Sequence, residues 1–285
     1  MQRRNGGGQL SYAGGFARRW ERALVHALEW STAKPAILWR MRRLLADPPP
    51  NDHGFWQGVL DHAGVDVVAS DADLRRIPER GPLVMVANHP RGVLDGFVLA
   101  ALLARRRTDF RILGRVLAGG LHPAADAALI GVPFPEAPDA QRLMLEMRAA
   151  AEAHLADGGA IIVFPSGKIA ESATAFGPVE EPPWNPFTAR LAQRTGATVL
   201  PCFLPGRNSR AWQVANRSAM VLRDGLQLME VRRTMGRPQA PVVGAAITPE
   251  EIAARGEGPG RLAAWLREET LALDPQRVGT GTSPR

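Results

Sequence analysis

His89 and Asp95 stand in the run LVMVANHPRGVLDG of residues 83–96, with five residues between them. A carboxylate beside an imidazole fixes its tautomer and stabilises the imidazolium, which suits His89 to act as a general base toward a hydroxyl or an amine. Residues 83–87 are apolar strand formers behind a Gly81-Pro82 turn signal, and they predict a buried strand. Pro90 biases His89 toward extended backbone, so the strand ends there. Residues 93–104 read as an apolar helix with Asp95 near its first turn. Open α/β sheets place their chemistry at such strand ends, in the loop before a helix. One tight turn separates the two residues, so Asp95 can bend back to His89. A structural alternative stands beside this one, in which His89 caps a turn and Asp95 pairs with Arg91 or the helix N-terminus.

Further candidates follow other predicted strands. Residues 160–164, AIIVF, are apolar on both faces, as a central parallel strand should be. They lead into Pro165-Ser166-Gly167-Lys168. Gly167 allows close approach of the backbone to a ligand, Ser166 can donate a hydrogen bond, and Lys168 can meet a phosphate or carboxylate. Residues 197–203 form another strand, followed by Pro205-Gly206-Arg207-Asn208-Ser209. Arg207 is an anion contact and Asn208 and Ser209 are polar pocket groups, or the last two cap the helix expected at 209–215. Arg115 follows a short strand at 110–113, at a loop edge where an anion can be met. Backbone amides near Gly92 or Gly167 can stabilise an oxyanion. Trp184 lines a pocket or packs.

NHPRGVLDG resembles the histidine–aspartate motif of the lysophospholipid and glycerolipid acyltransferases. The commonest form of that motif has four intervening residues. The longer spacing here, with Pro after His and a Gly before the Asp, resembles the branch that includes lyso-ornithine-lipid O-acyltransferases and haemolysin-related proteins. Phe164-Pro165-Ser166-Gly167-Lys168 is similar to the family's Phe-Pro-Glu-Gly block, and Val199-Leu200-Pro201 and Gly206-Arg207-Asn208-Ser209 continue the resemblance in order. The resemblance implies an α/β fold with a mostly parallel central sheet and helices on both faces. It implies transfer of an acyl chain from an acyl carrier protein or coenzyme A thioester to a lysolipid hydroxyl, with His89 as base and Asp95 orienting it. Arg91, Gly92, Arg115, Ser166, Gly167, Lys168, Arg207 and Asn208 are the substrate-binding candidates. No metal or other cofactor is expected, because the thioester is a substrate. No serine or cysteine nucleophile is expected either, in agreement with the lack of a Gly-x-Ser-x-Gly elbow.

The chain departs from its relatives in the second block. They carry Glu where Ser166 stands and Arg where Ile169 stands, groups that help hold a phosphate-bearing acceptor. A zwitterionic lysophospholipid or a lyso-aminolipid is therefore expected in preference to lysophosphatidate. A homologue that binds lipid without turnover is the alternative. A metal-dependent hydrolase using His89, Asp95 and His122 lacks any paired-histidine spacing such as HExxH.

These loops need a scaffold, and 285 residues with 45% hydrophobic content suffice for one α/β domain with an appendage. A domain is expected over 55–275, with strands at 65–69, 83–87, 110–113, 160–164 and 197–203 and closing strands within 231–248. Helices are expected at 55–63, 93–104, 141–156, 187–194, 209–215, 249–254 and 259–273. Arg105-Arg106-Arg107 complement a helix dipole. The single cysteine, Cys202, reads as a buried small residue.

Ahead of this domain, the Gly-rich residues 1–15 read as disordered, 16–46 as an amphipathic helical hairpin and 47–54 as a Pro-rich linker; 276–285 form a polar tail. In the first helix Phe16, Trp20, Leu24 and Leu28 recur every four residues, with Trp30 alongside, while Arg18, Arg19, Arg22 and Glu29 lie off the stripe. Basic helices with tryptophan lie naturally in a membrane interface; the other option is a hairpin packed on the domain. A net charge of +7 favours an anionic surface. Aromatic residues at 6% are too few for a base-stacking platform, so no nucleic acid is expected. No apolar run approaches the roughly 20 residues of a spanning helix, and the Arg-studded N-terminus is unlike a secretory signal. The expected location is the cytoplasm, attached peripherally to the cytoplasmic face of the inner membrane.

Overall fold

The computed structural model describes residues 11–46, 54–114, 123–133 and 139–278. After a 3-10 turn at Ala13–Gly15, α1 (Arg19–Thr32) and α2 (Lys34–Ala46) form the N-terminal hairpin. Next come α3 (Gly54–Ala63), α4 (Asp71–Arg75), β1 (Leu83–Ala87), α5 (Val93–Ala104) and β2 (Phe110–Gly114). They are followed by α6 (Pro123–Ala127), β3 (Leu129–Gly131), α7 (Ala140–Ala156) and β4 (Ala160–Val163). A small antiparallel pair, β5 (Glu171–Ser172) and β6 (Val179–Glu180), precedes α8 (Pro186–Thr195) and β7 (Thr198–Phe203). The chain ends with α9 (Arg210–Ser218), α10 (Met220–Thr234), β8 (Val242–Val243), α11 (Pro249–Ala254), α12 (Pro259–Ala272) and α13 (Pro275–Val278).

Six strands form the main sheet in the order β3-β2-β4-β1-β7-β8, all parallel except for the β7–β8 pair. Alternation along β1 shows why it is central. Leu83, Met85 and Ala87 enter one buried cluster with Phe55, Leu60 and the apolar side of α5. Val84 and Val86 enter the other, with Met147, Leu155, Leu191 and Leu266 of α7, α8 and α12. Helices thus cover both faces, and every β1 residue is buried, as a parallel interior strand requires. Because β4, β1 and β7 are neighbours running the same way, the loops that follow them emerge together at one edge.

Several expectations are corrected. Residues 65–69 form no strand: Val67 makes only an isolated bridge with Gln239, supported by Val68 N–H to Gln239 O at 2.8 Å and Gln239 N–H to Asp66 O at 2.7 Å. Val65 and Val67 are apolar because they plug the α3–α5 cluster, not because they join the sheet. The closing strands expected within 231–248 reduce to β8 and a bridge between Val199 and Ile247, while α10 occupies residues up to 234. Val221, Leu228 and Val231 recur at helical spacing and turn inward there. The short β3, β5 and β6 were not expected.

The N-terminal segment is also more ordered than its glycines suggest. Ala13 is buried, and Ser11 Oγ and Tyr12 N–H donate to Glu29 at 2.8 and 2.7 Å. Glu29, expected on the solvated side, is fully buried and pairs with buried Lys34 at 3.4 Å; a carboxylate taken from water requires such partners. Its helix packs Val25 against Val221, with Leu28 over Gly225 of α10. The opposite stripe faces outward, with Trp20 58% and Trp30 54% exposed and Trp39 of α2 55% exposed. Arg107 is buried rather than complementing the helix dipole. It grips Asp109 with two hydrogen bonds, at 2.7 and 2.8 Å, and donates to the Gly81 and Gly158 carbonyls. Residues 1–10, most of the 47–54 linker and residues 279–285 of the tail lie outside the described residues. Among the described residues no helix is long and apolar enough to cross a membrane.

Candidate active site

The site is assembled where β1 ends. Asn88 extends the strand edge with its side chain: Nδ2 donates to Leu204 O at 2.9 Å and Leu204 N–H donates to Oδ1 at 2.7 Å. The loop after β1 is thereby tied to the loop after β7. His89 comes next, its side chain 17% exposed, and its ring stacks on Phe164 with centroids 4.1 Å apart. Phe164 immediately follows β4, so two neighbouring strands confine the imidazole.

His89 Nδ1 lies 3.0 Å from Asp95 Oδ2. The separation is that of an ion pair, but the alignment falls short of a hydrogen bond; catalytic hydrogen bonds are often loose before substrate binds. The same Oδ2 accepts the Arg91 and Gly92 amides at 2.8 and 2.9 Å. Asp95 sits at the third position of α5 and caps its N-terminus, where a carboxylate is favoured. Both sequence alternatives for Asp95 hold at once, since the cap is what aims the carboxylate at the imidazole. Nδ1 faces Asp95, which leaves Nε2 for a reacting group.

The remaining candidates divide. Arg91 donates through its guanidinium to Gln239 and to Pro205 O, so its donors are turned to the protein. Burial lowers its pKa, against the favourable charge of Asp95. Gly92 has φ 98°, and a Cβ there would meet Gln227 Nε2 at 2.7 Å; Gln227 donates to Arg91 O at 2.6 Å. The Gly92 amide is taken by Asp95, and the Gly167 amide closes a turn on Phe164 O at 2.9 Å. These two amides are therefore engaged within the protein. Ser166 is half-buried, Gly167 and Lys168 are exposed, and Ser166 Oγ bonds the Lys168 carbonyl at 2.9 Å. Arg207 is exposed. Asn208 is buried, and its Oδ1 and Nδ2 have no hydrogen-bond partner among the described residues. Ser209 caps α9 and donates to Glu230. Trp184 is buried and packs, donating to Glu181 at 3.0 Å. Arg115 and His122 lie outside the described residues, among which no group of three His, Cys, Asp or Glu side chains is arranged to hold a metal ion.

Sequence reasoning missed Glu181, Gln227 and Gln239. Each reaches the loop after β1 from a distant segment, and no local pattern marks them.

Residues 71–204 match the family model described as Acyltransferase. This segment of the chain is an acyltransferase-family domain. The matched part of the chain runs from α4 through β7, so it includes the His89–Asp95 loop and the Ser166–Lys168 loop. The 205–209 turn, α9 and α10 lie beyond it. Among solved structures, the chain is similar to the 1-acyl-sn-glycerophosphate (LPA) acyltransferase PlsC from Thermotoga maritima. The two are 14% identical with a TM-score of 0.46, covering 96% of this chain and 92% of that chain. No curated protein matches it.

Proposed function

We propose that this protein is an acyltransferase that moves a fatty acyl chain from a coenzyme A or acyl carrier protein thioester to the hydroxyl of a lysolipid. The contact between His89 Nδ1 and Asp95 carries the reading. His89 Nε2 takes the hydroxyl proton as the oxygen attacks the thioester carbonyl, and Asp95 stabilises the imidazolium. When the tetrahedral intermediate collapses, the C–S bond breaks and the thiolate takes the proton from the imidazolium. An ester and a free thiol result, and His89 is restored.

The acceptor is a zwitterionic lysophospholipid or a lyso-aminolipid in preference to lysophosphatidate. Ser166 and Ile169 supply neither an anion nor a cation, leaving Lys168 and Arg207, both exposed at this edge, to meet a carboxylate or a single phosphodiester. The chain meets its lipid at an anionic membrane surface. The outward tryptophans of α1 and α2 support this, as does an apolar groove lined by Leu28, Ala211, Val214, Leu222 and Leu226 with Arg210 at its rim.

The test is thiol release by the full chain from acyl-coenzyme A or acyl carrier protein, with each lysolipid in turn. Release should depend on acceptor, with kcat/KM higher for the zwitterionic or amino lipids. Lys168→Ala should lower kcat/KM for the acceptor roughly tenfold to a hundredfold, the worth of one charged hydrogen bond (about 1.5–3 kcal/mol). No release with any acceptor would leave a lipid-binding homologue. Preference for lysophosphatidate, unchanged by Lys168→Ala, would overturn the acceptor assignment.

A further inference from the structure

The peptide groups of His89 are held by a segment that belongs to none of the motifs. Glu181 follows β6 and is buried, 6% exposed. Its Oε2 accepts the His89 amide at 2.9 Å, and its Oε1 accepts Trp184 Nε1–H at 3.0 Å. Two N–H groups that can only donate are thus received, one by each oxygen. Burial holds the Glu181 carboxyl above its ordinary range, against the bonds from the His89 amide and Trp184. From the far side, Arg267 of α12 donates to the Glu181 and Pro182 carbonyls. At the start of the same excursion, Ala170 N–H donates to His89 O at 2.8 Å. The β5–β6 hairpin therefore begins and ends on His89.

His89 needs such support. β1 ends at Ala87, so the His89 amide has no partner in the strand ladder, and Pro90 after it offers no N–H. Without an acceptor this peptide could tilt and swing the imidazole off Asp95, and a displacement of about 1 Å can cost on the order of a hundredfold in rate.

We propose that Glu181 is a positioning residue for His89: its carboxylate fixes the peptide from which the imidazole meets Asp95 and the substrate. The inference rests on the acyl-transfer reading above, and the hydrogen bond itself can be tested apart from it. In the full chain, Glu181→Gln keeps one acceptor but turns an amide NH2 toward a donor. Its kcat should fall about tenfold or more, with KM for thioester and lysolipid within about twofold, since nothing that binds them has changed. Glu181→Asp keeps the charge and should recover part of the lost kcat. A kcat within twofold of wild type in folded Glu181→Gln would overturn the proposal. So would a loss confined to KM, which would make Glu181 a binding group.

Hydrogen exchange of the His89 amide in the wild-type chain needs no variant and no turnover. Slow exchange supports the carboxylate contact. Exchange as fast as that of the exposed Gly167 loop would remove the basis of the proposal, even if both variants failed to fold. A wild-type chain that protects this amide but transfers no acyl group would overturn the acyl-transfer reading and with it the catalytic role given to Glu181.

Discussion

The guanidinium of Arg91 occupies the space that a Cβ on Gly206 would need. Arg91 lies in the loop after β1 and Gly206 in the turn after β7, and Arg91 also donates to the neighbouring Pro205 carbonyl. Two segments more than a hundred residues apart are thus interlocked at one point. With the Asn88–Leu204 pair they form a double clasp between adjacent strands, and His89 sits between the two fastenings.

Gly206→Ala should break the outer fastening. Gly206 has φ 112°, a conformation that L side chains avoid, and the added methyl collides with Arg91. The expected cost is about 1–3 kcal/mol in unfolding free energy, from backbone strain of this kind. Denaturant unfolding of Gly206→Ala, Arg91→Ala and the double variant checks it. The double variant should lose less than the sum of the two, because Arg91→Ala clears the collision but not the strain. Strict additivity would count against the interlock.

His89→Ala and Asp95→Asn should separate chemistry from structure. His89 is partly exposed on a loop, so His89→Ala should abolish acyl transfer, by about a hundredfold or more, with little change in melting temperature. Asp95→Asn should lower both. Its carboxylate also accepts two amides at the α5 N-terminus, and losing that cap costs about 0.5–2 kcal/mol. Thiol release beside thermal melts distinguishes these outcomes. Near-normal turnover in His89→Ala would remove it from the chemistry.

Replacing Trp20, Trp30 and Trp39 together with Ser should weaken sedimentation with anionic vesicles by about tenfold or more while leaving the melting temperature near wild type, since all three rings are more than half exposed. Binding should also weaken as salt rises, because the basic side chains among them act through screened charge. Unchanged vesicle binding in the triple variant would place the lipid contact on another surface.

Arg107 and Asp109 offer a test of the scaffold. Burial alone would raise the Asp109 carboxyl, but the Arg107 hydrogen bonds and charge hold it below its ordinary range. A carboxylate lowered in this way stabilises the fold above its unfolded value, about 3.9, and loses that contribution as pH falls through the folded one. The melting-temperature gap between wild type and Asp109→Asn should be level from pH 7 to 5 and close below about pH 4. Arg107→Ala should cost more, about 2–4 kcal/mol, because the buried guanidinium's ion pair and its bonds to three partly buried carbonyls are lost together.

The local order of this protein was legible in its residues. β1 and α5 fall at 83–87 and 93–104 as read, because an unbroken apolar run between Gly-Pro and Asn-His-Pro, and another closed by arginines, leave little choice of structure or boundary. His89 and Asp95 meet because a single turn joins them, so covalent proximity alone brings the pair together. Only the tertiary structure decided what lies across space. It made β4 and β7 the neighbours of β1, turned residues 220–234 into a helix against α1 rather than a closing strand, and buried Glu29 and Arg107, which read as surface charges. It also brought Glu181, Gln227 and Gln239 to the His89 loop. Periodicity and turn chemistry act over a few residues and are written along the chain. The pairing of a buried polar group depends on whichever distant segment packs beside it, and that partner is not written in its neighbours.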